Sequence, residues 1–407
     1  MYNTSVGFHT IMLSLSLTQN ERKHLISHFQ KYSSETNSIM IYSDNNSNTR
    51  IRYFKRDMGI DWTIYRNNWN REFNPYILYV KINPKILGGI YDYITAASLA
   101  DLNIAITNYN NEAKKISYIL KTFDQYTLKR IDYCINFDLT DFTCKCTPEQ
   151  MLELIRRSNI PVNYTEWSEY DPISHRRKSK PESFYLVNPS VTINCYSKYM
   201  QLQNKNHENA EKGYEPIPQW ILDASYNIIR FEIQCKHPKT YSLSAISEQL
   251  GDTKTNKYKT LLSKNVCLDI IDKYYRKTIG MGDWYTLQEA IQKVKSECFN
   301  IQHENRLIAA LQLINQKRNI PKAKEQLSNN ELAQFKMTLK ELSDLGINPV
   351  TIPRPWGISR IPNLLHTYYY LAQDNNMRQY ELLSSKKNEL PVAPLVPFIY
   401  TDNFAFS

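Results

Sequence analysis

Along the first part of the chain, apolar and polar residues alternate with a period of two, broken by one helical stretch. His9-Thr10-Ile11-Met12-Leu13-Ser14-Leu15-Ser16-Leu17 reads as a strand. Thr18 then caps a helix to about Tyr32, with Glu21 placed as its capping-box partner. Strands are predicted around Ile51–Phe54, Trp62–Tyr65 and Tyr76–Ile82, and after Pro84 an Ala-bearing helix runs to about Lys115. Residues 1–120 are therefore expected to form an α+β lobe with an antiparallel sheet.

Residues 121–250 repeat that grammar. Tyr126 to Leu139 reads as a strand, and Thr147-Pro148-Glu149-Gln150 opens a helix to about Ser158 with proline in its first turn. Strands follow at Tyr164–Tyr170, Phe184–Val187, Val191–Tyr199 and Ile228–Lys236. The repetition predicts two related lobes side by side, RRM-like or palm-type and pseudo-duplicated in topology, although no residue-level repeat is visible. From 251 to 383 the pattern turns helical, at Lys257–Lys277, Leu287–Glu297, Asn305–Asn315 and Asn330–Leu345, the last closed by Gly346. Ile320–Leu327 and Ser328–Leu345 read as two helices of a helix-turn-helix, with Pro349–Pro353 as a wing. A winged-helix domain of that kind would present Lys336, Lys340 and Arg354 to duplex DNA; an ordinary helical hairpin fits the same pattern. The proline-bearing tail, 384–407, is expected to be only partly ordered.

Composition narrows the class. The chain has 407 residues, 42% hydrophobic and 22% charged, enough apolar content for real cores. No run of roughly 18 apolar residues occurs, so no membrane span is expected. Met1-Tyr2-Asn3-Thr4-Ser5-Val6 lacks the cationic start and apolar run of a signal peptide, which predicts a cytoplasmic protein. Seven cysteines, an odd number thinly spread, do not make a disulfide framework, and Cys144 and Cys146 form a C-x-C without a second pair for zinc. The 50 basic residues exceed the 40 acidic ones, giving +10, which leans toward nucleic acid. AT-rich coding by itself also yields 30 Tyr and abundant Lys, Asn and Ile, so position matters more than totals.

Position is informative on three strands of the second lobe. Successive side chains of a strand point to opposite faces. One face of Arg130–Asp138 carries Arg130, Asp132, Cys134, Asn136 and Asp138; the other carries Ile131, Tyr133, Ile135 and Phe137. In Arg230–Lys236 the even positions are Arg230, Glu232, Gln234 and Lys236, and in Thr192–Lys198 they include Asn194, Tyr196 and Lys198. If these strands share a sheet with apolar faces down, Asp132, Asp138, Glu232 and Tyr196 rise from one surface among cations. Carboxylates gathered among cations suit a hard divalent metal with a phosphate nearby, and a tyrosine there can attack phosphorus. The same alternation also suits a solvated face with charges paired across strands, or stacking platforms for single strands.

These strands carry a family resemblance. Leu128–Asp138 with its Arg-x-Asp, Asn194-Cys195-Tyr196-Ser197-Lys198 with Tyr-x-Lys, and Ile229–Gln234 with Arg-x-Glu resemble, in this order, the rolling-circle replication initiators of bacterial plasmids and filamentous-type phages. The resemblance spans about Ile11 to Pro238 and is specific at the three short motifs. It implies an origin-specific nicking and joining enzyme that forms a covalent 5′-phosphotyrosine. Carried over, Tyr196 is the nucleophile, Asp132 and Glu232 hold Mg²⁺ or Mn²⁺, Asp138 is a further ligand or activator, and Lys198 and Arg230 steady the phosphate. DNA is the implied partner, at a single-stranded or cruciform nick site with flanking duplex, and the absence of a Gly-x-x-x-x-Gly-Lys-Ser/Thr loop leaves any helicase to the host. Arg130, Lys236 and the basic loop bearing Arg176, Arg177, Lys178 and Lys180 are candidate phosphate contacts.

Departures from the family pattern bear on the site. Relatives often carry an acid shortly after Tyr-x-Lys, where this chain has Tyr199-Met200-Gln201-Leu202-Gln203, and neighbouring Tyr199 and Tyr185 leave the nucleophile open. No two of the eight histidines stand at i and i+2, and His24 and His28 lack an intervening Glu after His24, so no histidine is assigned to a metal. The alternative function from another class is a non-catalytic origin-binding initiator, which needs no convergence of Asp132, Glu232 and Tyr196.

Overall fold

The computed structural model describes residues 4–43, 48–54, 57–67, 73–89, 94–141, 146–167, 169–171, 176–178, 183–249, 258, 260–298 and 300–372, with the backbone alone for 169–171, 176–178 and 246–249. Strand β1 (Ser5–Leu17) buries Phe8, Ile11, Leu13 and Leu17. Helix α1 (Gln19–Thr36) starts at the predicted capping box: Glu21 N–H donates to Thr18 Oγ1 and Thr18 N–H to Glu21 Oε2 at 2.8 Å. A meander follows, β2 (Ile39–Ser43), β3 (Thr49–Tyr53), β4 (Ile60–Arg66) and β5 (Tyr76–Ile82), and β5 returns to lie antiparallel beside β1. Short α2 (Pro84–Leu87) and longer α3 (Leu99–Ile116) lead to β6 (Thr127–Asp138).

The second half has the same connectivity. β6 is followed by α4 (Pro148–Arg156), capped by Thr147 and Gln150 with Pro148 in its first turn. Then come β7 (Thr165–Glu166), a hairpin of β8 (Glu169–Asp171) and β9 (Arg176–Lys178), β10 (Ser183–Val187) and β11 (Val191–Ser197). Helices α5 (Lys198–Lys212) and α6 (Gln219–Ala224) intervene before β12 (Ile228–Cys235), which returns beside β6. The large sheet has ten strands in the order β2-β3-β4-β5-β1-β6-β12-β11-β10-β7, every neighbouring pair antiparallel. β1-α1-β2-β3-β4-β5 and β6-α4-β7-β10-β11-β12 are thus two copies of one topology, joined where β1 pairs with β6. Because the equivalent strands β1 and β6 run antiparallel, an approximate two-fold axis normal to the sheet relates the halves.

One face of this sheet is the core. Trp62 packs against Phe29 of α1 with ring centroids 5.2 Å apart, and Phe231 meets Tyr275 at 5.3 Å. Tyr275 belongs to α8 (Lys264–Thr278), which follows α7 (His237–Gln249). The same apolar cluster continues through Trp284, Ile352, Leu364 and Leu365, so part of the helical region shares the sheet's core. That region comprises β13 (Trp284–Tyr285), α9 (Leu287–Glu297), α10 (Ile301–Lys317), α11 (Ile320–Lys324), α12 (Asn329–Asp344) and β14 (Arg360–Ile361). A separate small core of Val294, Leu307, Leu311 and Leu342 binds α9, α10 and α12 together.

Two expectations need correction. The segment expected to be a wing does not project: Val350 and Ile352 are buried, and Ile352 N–H donates to Tyr285 O at 2.8 Å. The strand expected to reach Tyr199 ends at Ser197, whose hydroxyl caps the first turn of α5, so Lys198 opens a helix instead of extending the strand. The tail beyond residue 372 lies outside the described residues.

Gly7 marks where β1 is clamped from above. Phe8 N–H donates to Ala97 O at 2.9 Å and Ala97 N–H to Phe8 O at 3.0 Å, and a Cβ at Gly7 would lie 2.0 Å from Ala97 O. Gly7→Ala must push the 94–98 segment off the strand, which should cost about 1–3 kcal/mol. Urea unfolding will read this as a lower midpoint at unchanged m-value; an unchanged midpoint refutes the clamp.

Candidate active site

Three adjacent strands, β1, β6 and β12, deliver the titratable groups. Phe8 lies opposite Tyr133 and Ile11 opposite Ile131, so three steps on β1 match two on β6. His9 and Thr10 therefore both fall opposite Asp132, a β-bulge. Strict alternation would send His9 to the core face with Ile11 and Leu13; the extra residue turns it to the open face. On β12, Gln234 stands opposite Asp132 and Glu232 opposite Cys134. His9 Nδ1 lies 3.0 Å from Glu232 Oε2, and one donor atom each from His9, Asp132 and Glu232 falls within 4.8 Å of the other two. Ligands of a single divalent ion span about two bond lengths, roughly 4–5 Å.

The electrostatics of this cluster are strained. Burial pushes Asp132 up to about 7, even though the Arg130 guanidinium grips it through Nε and Nη2 at 2.6 Å each. Burial acts on Glu232 as well, but His9, Arg230 and the Gln234 amide at 2.8 Å outweigh it and hold Glu232 well below the usual carboxylate range. Burial lowers His9 to about 4, with Arg230 and Lys198 adding to it against the pull of Glu232. The imidazole is therefore neutral near pH 7, the form that binds metals. Cys134, beneath the same surface, is raised to about 12 by burial and remains a thiol.

Tyr196 sits beside the cluster. Its phenol donates to Glu232 Oε2 at 3.2 Å, and burial first, then Glu232, raises its pKa well above the ordinary 10. Arg230, its cross-strand partner, is fully buried; Nε donates to Asn136 Oδ1 at 2.7 Å while Nη1 finds no acceptor among the described residues. Asn194, opposite Glu232, has a buried Oδ1 without a donor among the described residues. Lys198, in the first turn of α5, reaches Gln201 Oε1 at 2.7 Å and lines the same groove. The groove encloses about 1750 Å³ along the open face of the sheet. Helix α5 walls it: Lys205 Nζ meets Asp57 Oδ2 at 3.0 Å and Tyr214 Oη donates to Tyr53 O at 2.6 Å, tying the second half to the first.

No protein-family model matches this chain, and no curated protein matches it. Among solved structures the chain is similar to a rolling circle replication initiator protein from Geobacillus stearothermophilus, with 8% identity and a TM-score of 0.30 over 67% of this chain and 85% of that one. A likeness this loose carries no inference about activity.

The other expected site residues divide. Asp132, Glu232, Tyr196 and Arg230 come together, and Arg130, Lys198 and Lys236 line the groove. Asp138 does not join them. Six residues along β6 place it roughly 20 Å from Asp132, and its Oδ1 accepts from the N–H and hydroxyl of Thr140. Tyr199 turns instead to Tyr226, ring centroids 5.4 Å apart, while Tyr185 lies one strand farther from Glu232, against Trp167. Lys336 and Lys340 are exposed, one turn apart on α12. The side chains of Arg176, Arg177, Lys178 and Lys180 lie outside the described residues, although residues 176–178 form β9. His9, Asn194 and Gln234 were not assigned a role from sequence.

A divalent cation fits this donor set. One imidazole and two carboxylates suit Mg²⁺ or Mn²⁺, with the nitrogen favouring Mn²⁺. A cation would relieve the charge cost that pushes Asp132 up, and Asn194 Oδ1 is an acceptor in want of a donor. Since Asp132 must lose its proton to ligate and His9 is already neutral, Mn²⁺ affinity should climb about tenfold per pH unit from pH 5 to 7, then level. Isothermal titration calorimetry checks this, and a flat profile overturns the assignment.

Proposed function

We propose that this chain is a metal-dependent DNA nicking and joining enzyme that starts rolling-circle replication of a plasmid or phage. The observation that carries the reading is a phenol, Tyr196, hydrogen-bonded to a carboxylate that shares a metal-sized cluster with His9 and Asp132, on the floor of a basic groove. The resemblance of the Arg-x-Asp, Tyr-x-Lys and Arg-x-Glu strands to the initiators supplies the origin as substrate, the cytoplasm as setting and a host helicase as partner.

Bound among His9, Asp132 and Glu232, Mg²⁺ or Mn²⁺ would polarise the scissile phosphoryl group. The chain's own residues do the rest. Arg230 Nη1, charged and without an acceptor among the described residues, offers a donor to a phosphate oxygen next to Tyr196. Tyr196 Oη bonds to phosphorus as the P–O3′ bond breaks; the phenol proton leaves along its hydrogen bond toward Glu232, and the 3′-oxygen takes up a proton to depart as a hydroxyl. The reverse transfer rejoins the strand without a nucleotide, since the phosphotyrosine preserves the phosphodiester's energy. Lys198 and Arg130 hold positive charge at the edge of this site.

The decisive variant is Tyr196→Phe, which removes one oxygen from a well-packed ring. Incubated with single-stranded origin oligonucleotides and Mn²⁺, it should lose the protein-linked DNA seen on denaturing gels by at least roughly a thousandfold, with duplex binding within about twofold of wild type. Chelation should abolish the adduct in the wild-type chain. Adduct formation by the variant at the wild-type rate refutes the reading and leaves a binding-only initiator.

A further inference from the structure

The duplicated topology has a second open face. In the first half, β4 and β5 occupy the places that β11 and β12 hold in the second, but their outward residues differ in kind. Asp61, Thr63 and Tyr65 face out from β4, and Ile77, Tyr79 and Lys81 from β5, where the second half has Asn194, Tyr196, Arg230 and Glu232. Farther out, Tyr42 on β2 pairs with Arg50 on β3, and the Arg52 guanidinium lies 5.2 Å from the Tyr42 ring centroid. Tyr65 and Tyr79 meet edge to face at 5.5 Å. Tyr42 and Tyr65 are each 37% exposed.

The net charge of this surface is positive. Asp57 is held by Lys205, and Asp61 stands between Arg52 and Lys81 in the register, so that among the described residues Arg50 and one further cation are left uncompensated. The surface also continues into the Tyr196 site. Lys81 stands opposite Met12, which stands opposite Arg130, and Lys81 is close enough to lower the pKa of Asp132. Tyr42, on β2, lies five strand spacings from β6, about 24 Å, within one groove.

We propose that the open face of β2–β5 is a binding platform for single-stranded DNA, with bases stacked on Tyr42, Tyr65 and Tyr79 and phosphates held by Arg50, Arg52 and Lys81. Aromatic rings interleaved with cations on a sheet surface bind single strands with little sequence preference, because every base has a π-face and every nucleotide a phosphate. A duplex cannot use the rings, since its bases are already stacked. The bound strand runs toward Tyr196, a direction that rests on the nicking reading; the binding itself does not.

The test uses the full chain in EDTA, where no cleavage occurs, and a fluorescein-labelled oligo(dT) followed by anisotropy. Tyr42→Ala and Tyr65→Ala should each weaken binding by about fivefold or more, the lower end of 1–3 kcal/mol per stacked base. Tyr65→Phe should bind within twofold of wild type, since the ring remains. Affinity for a duplex of equal length should hold within twofold for all three. Arg50→Ala should reduce the slope of log affinity against log salt by about 0.7. Single-strand affinity within twofold of wild type in the Tyr42→Ala/Tyr65→Ala double variant, or an equal loss for duplex, overturns the platform. The adduct assay with Tyr196→Phe is separate, so either reading can fail alone.

Discussion

The pairing of β1 with β6 is the contact on which the rest depends. It joins two five-stranded halves into one sheet and supplies Ile11, Leu13, Ile131 and Tyr133 to the middle of the core. Its partners are more than a hundred residues apart, as with Val6 and Ile135, so the loop entropy of the whole first half must be overcome before it forms. The seam is irregular at two places. A residue is added on β1 at His9–Thr10 and another on β6 at Lys129, after which Leu13 faces Leu128 and the original register resumes. The two bulges cancel, so both ends of the ladder keep their apolar residues inward. His9 lies in the first of these bulges, opposite Asp132, and there meets Glu232. A one-residue slip without this compensation would flip every side chain beyond it.

This explains what could be read from sequence and what could not. The polar faces of β6, β11 and β12 were legible because a regular strand has a fixed period of two, and the convergence of Asp132, Glu232 and Tyr196 follows from three such strands lying side by side. The starts of α1 and α4 were legible because Thr18–Glu21 and Thr147–Gln150 satisfy orphan N–H groups at fixed spacing. His9 was not, since a bulge is a departure from periodicity and leaves no mark in the periodic pattern. Asp138 failed for the complementary reason: alternation gives the side of the sheet but not the distance along it. α5 was missed because it buries few residues, Leu202 and Asn209 among them, and so lacks an apolar stripe. Beyond Cys134 the polar face is also roofed, with Asn136 Nδ2 bonded to Ile94 O, which no strand pattern announces.

The two halves use one topology for different surfaces. Ladder pairing and core alternation constrain inward residues in both, so the inward sets are alike: Ile51, Trp62, Ile64 and Val80 in one, Phe184, Ile193, Phe231 and Ile233 in the other. Outward residues carry no such constraint. In the second half they are acids, amides and a buried phenol with strongly displaced pKa values; in the first they are half-exposed tyrosines and arginines. Deeply buried acids are costly and persist when something compensates them, whereas exposed tyrosines cost little and need no partner. Helix α5 spans both, starting beside Tyr196 and held on Asp57 by Lys205 at its middle, which makes a single groove of two unlike floors.

A solvated face of paired charges would also alternate polar and apolar residues, and the distinction lies in how the pairs are satisfied. On such a face Arg130 and Asp132 would be a self-sufficient bidentate pair, with Asp132 ionised well below neutrality. Instead Asp132 is completely buried and its carboxyl is raised to about 7 despite that pair. Native interiors leave few polar atoms unpaired, because each costs about 1–3 kcal/mol. Among the described residues eight buried side-chain atoms stand unpaired, and two of them lie on the strands flanking and bearing Glu232, the Nη1 donor of Arg230 and the Oδ1 acceptor of Asn194. One wants an anion's oxygen and the other a donor such as a coordinated water would offer. On the function proposed above, a phosphate oxygen would meet Arg230 Nη1 and a metal-bound water would meet Asn194 Oδ1, so that metal and phosphate together would complete the network.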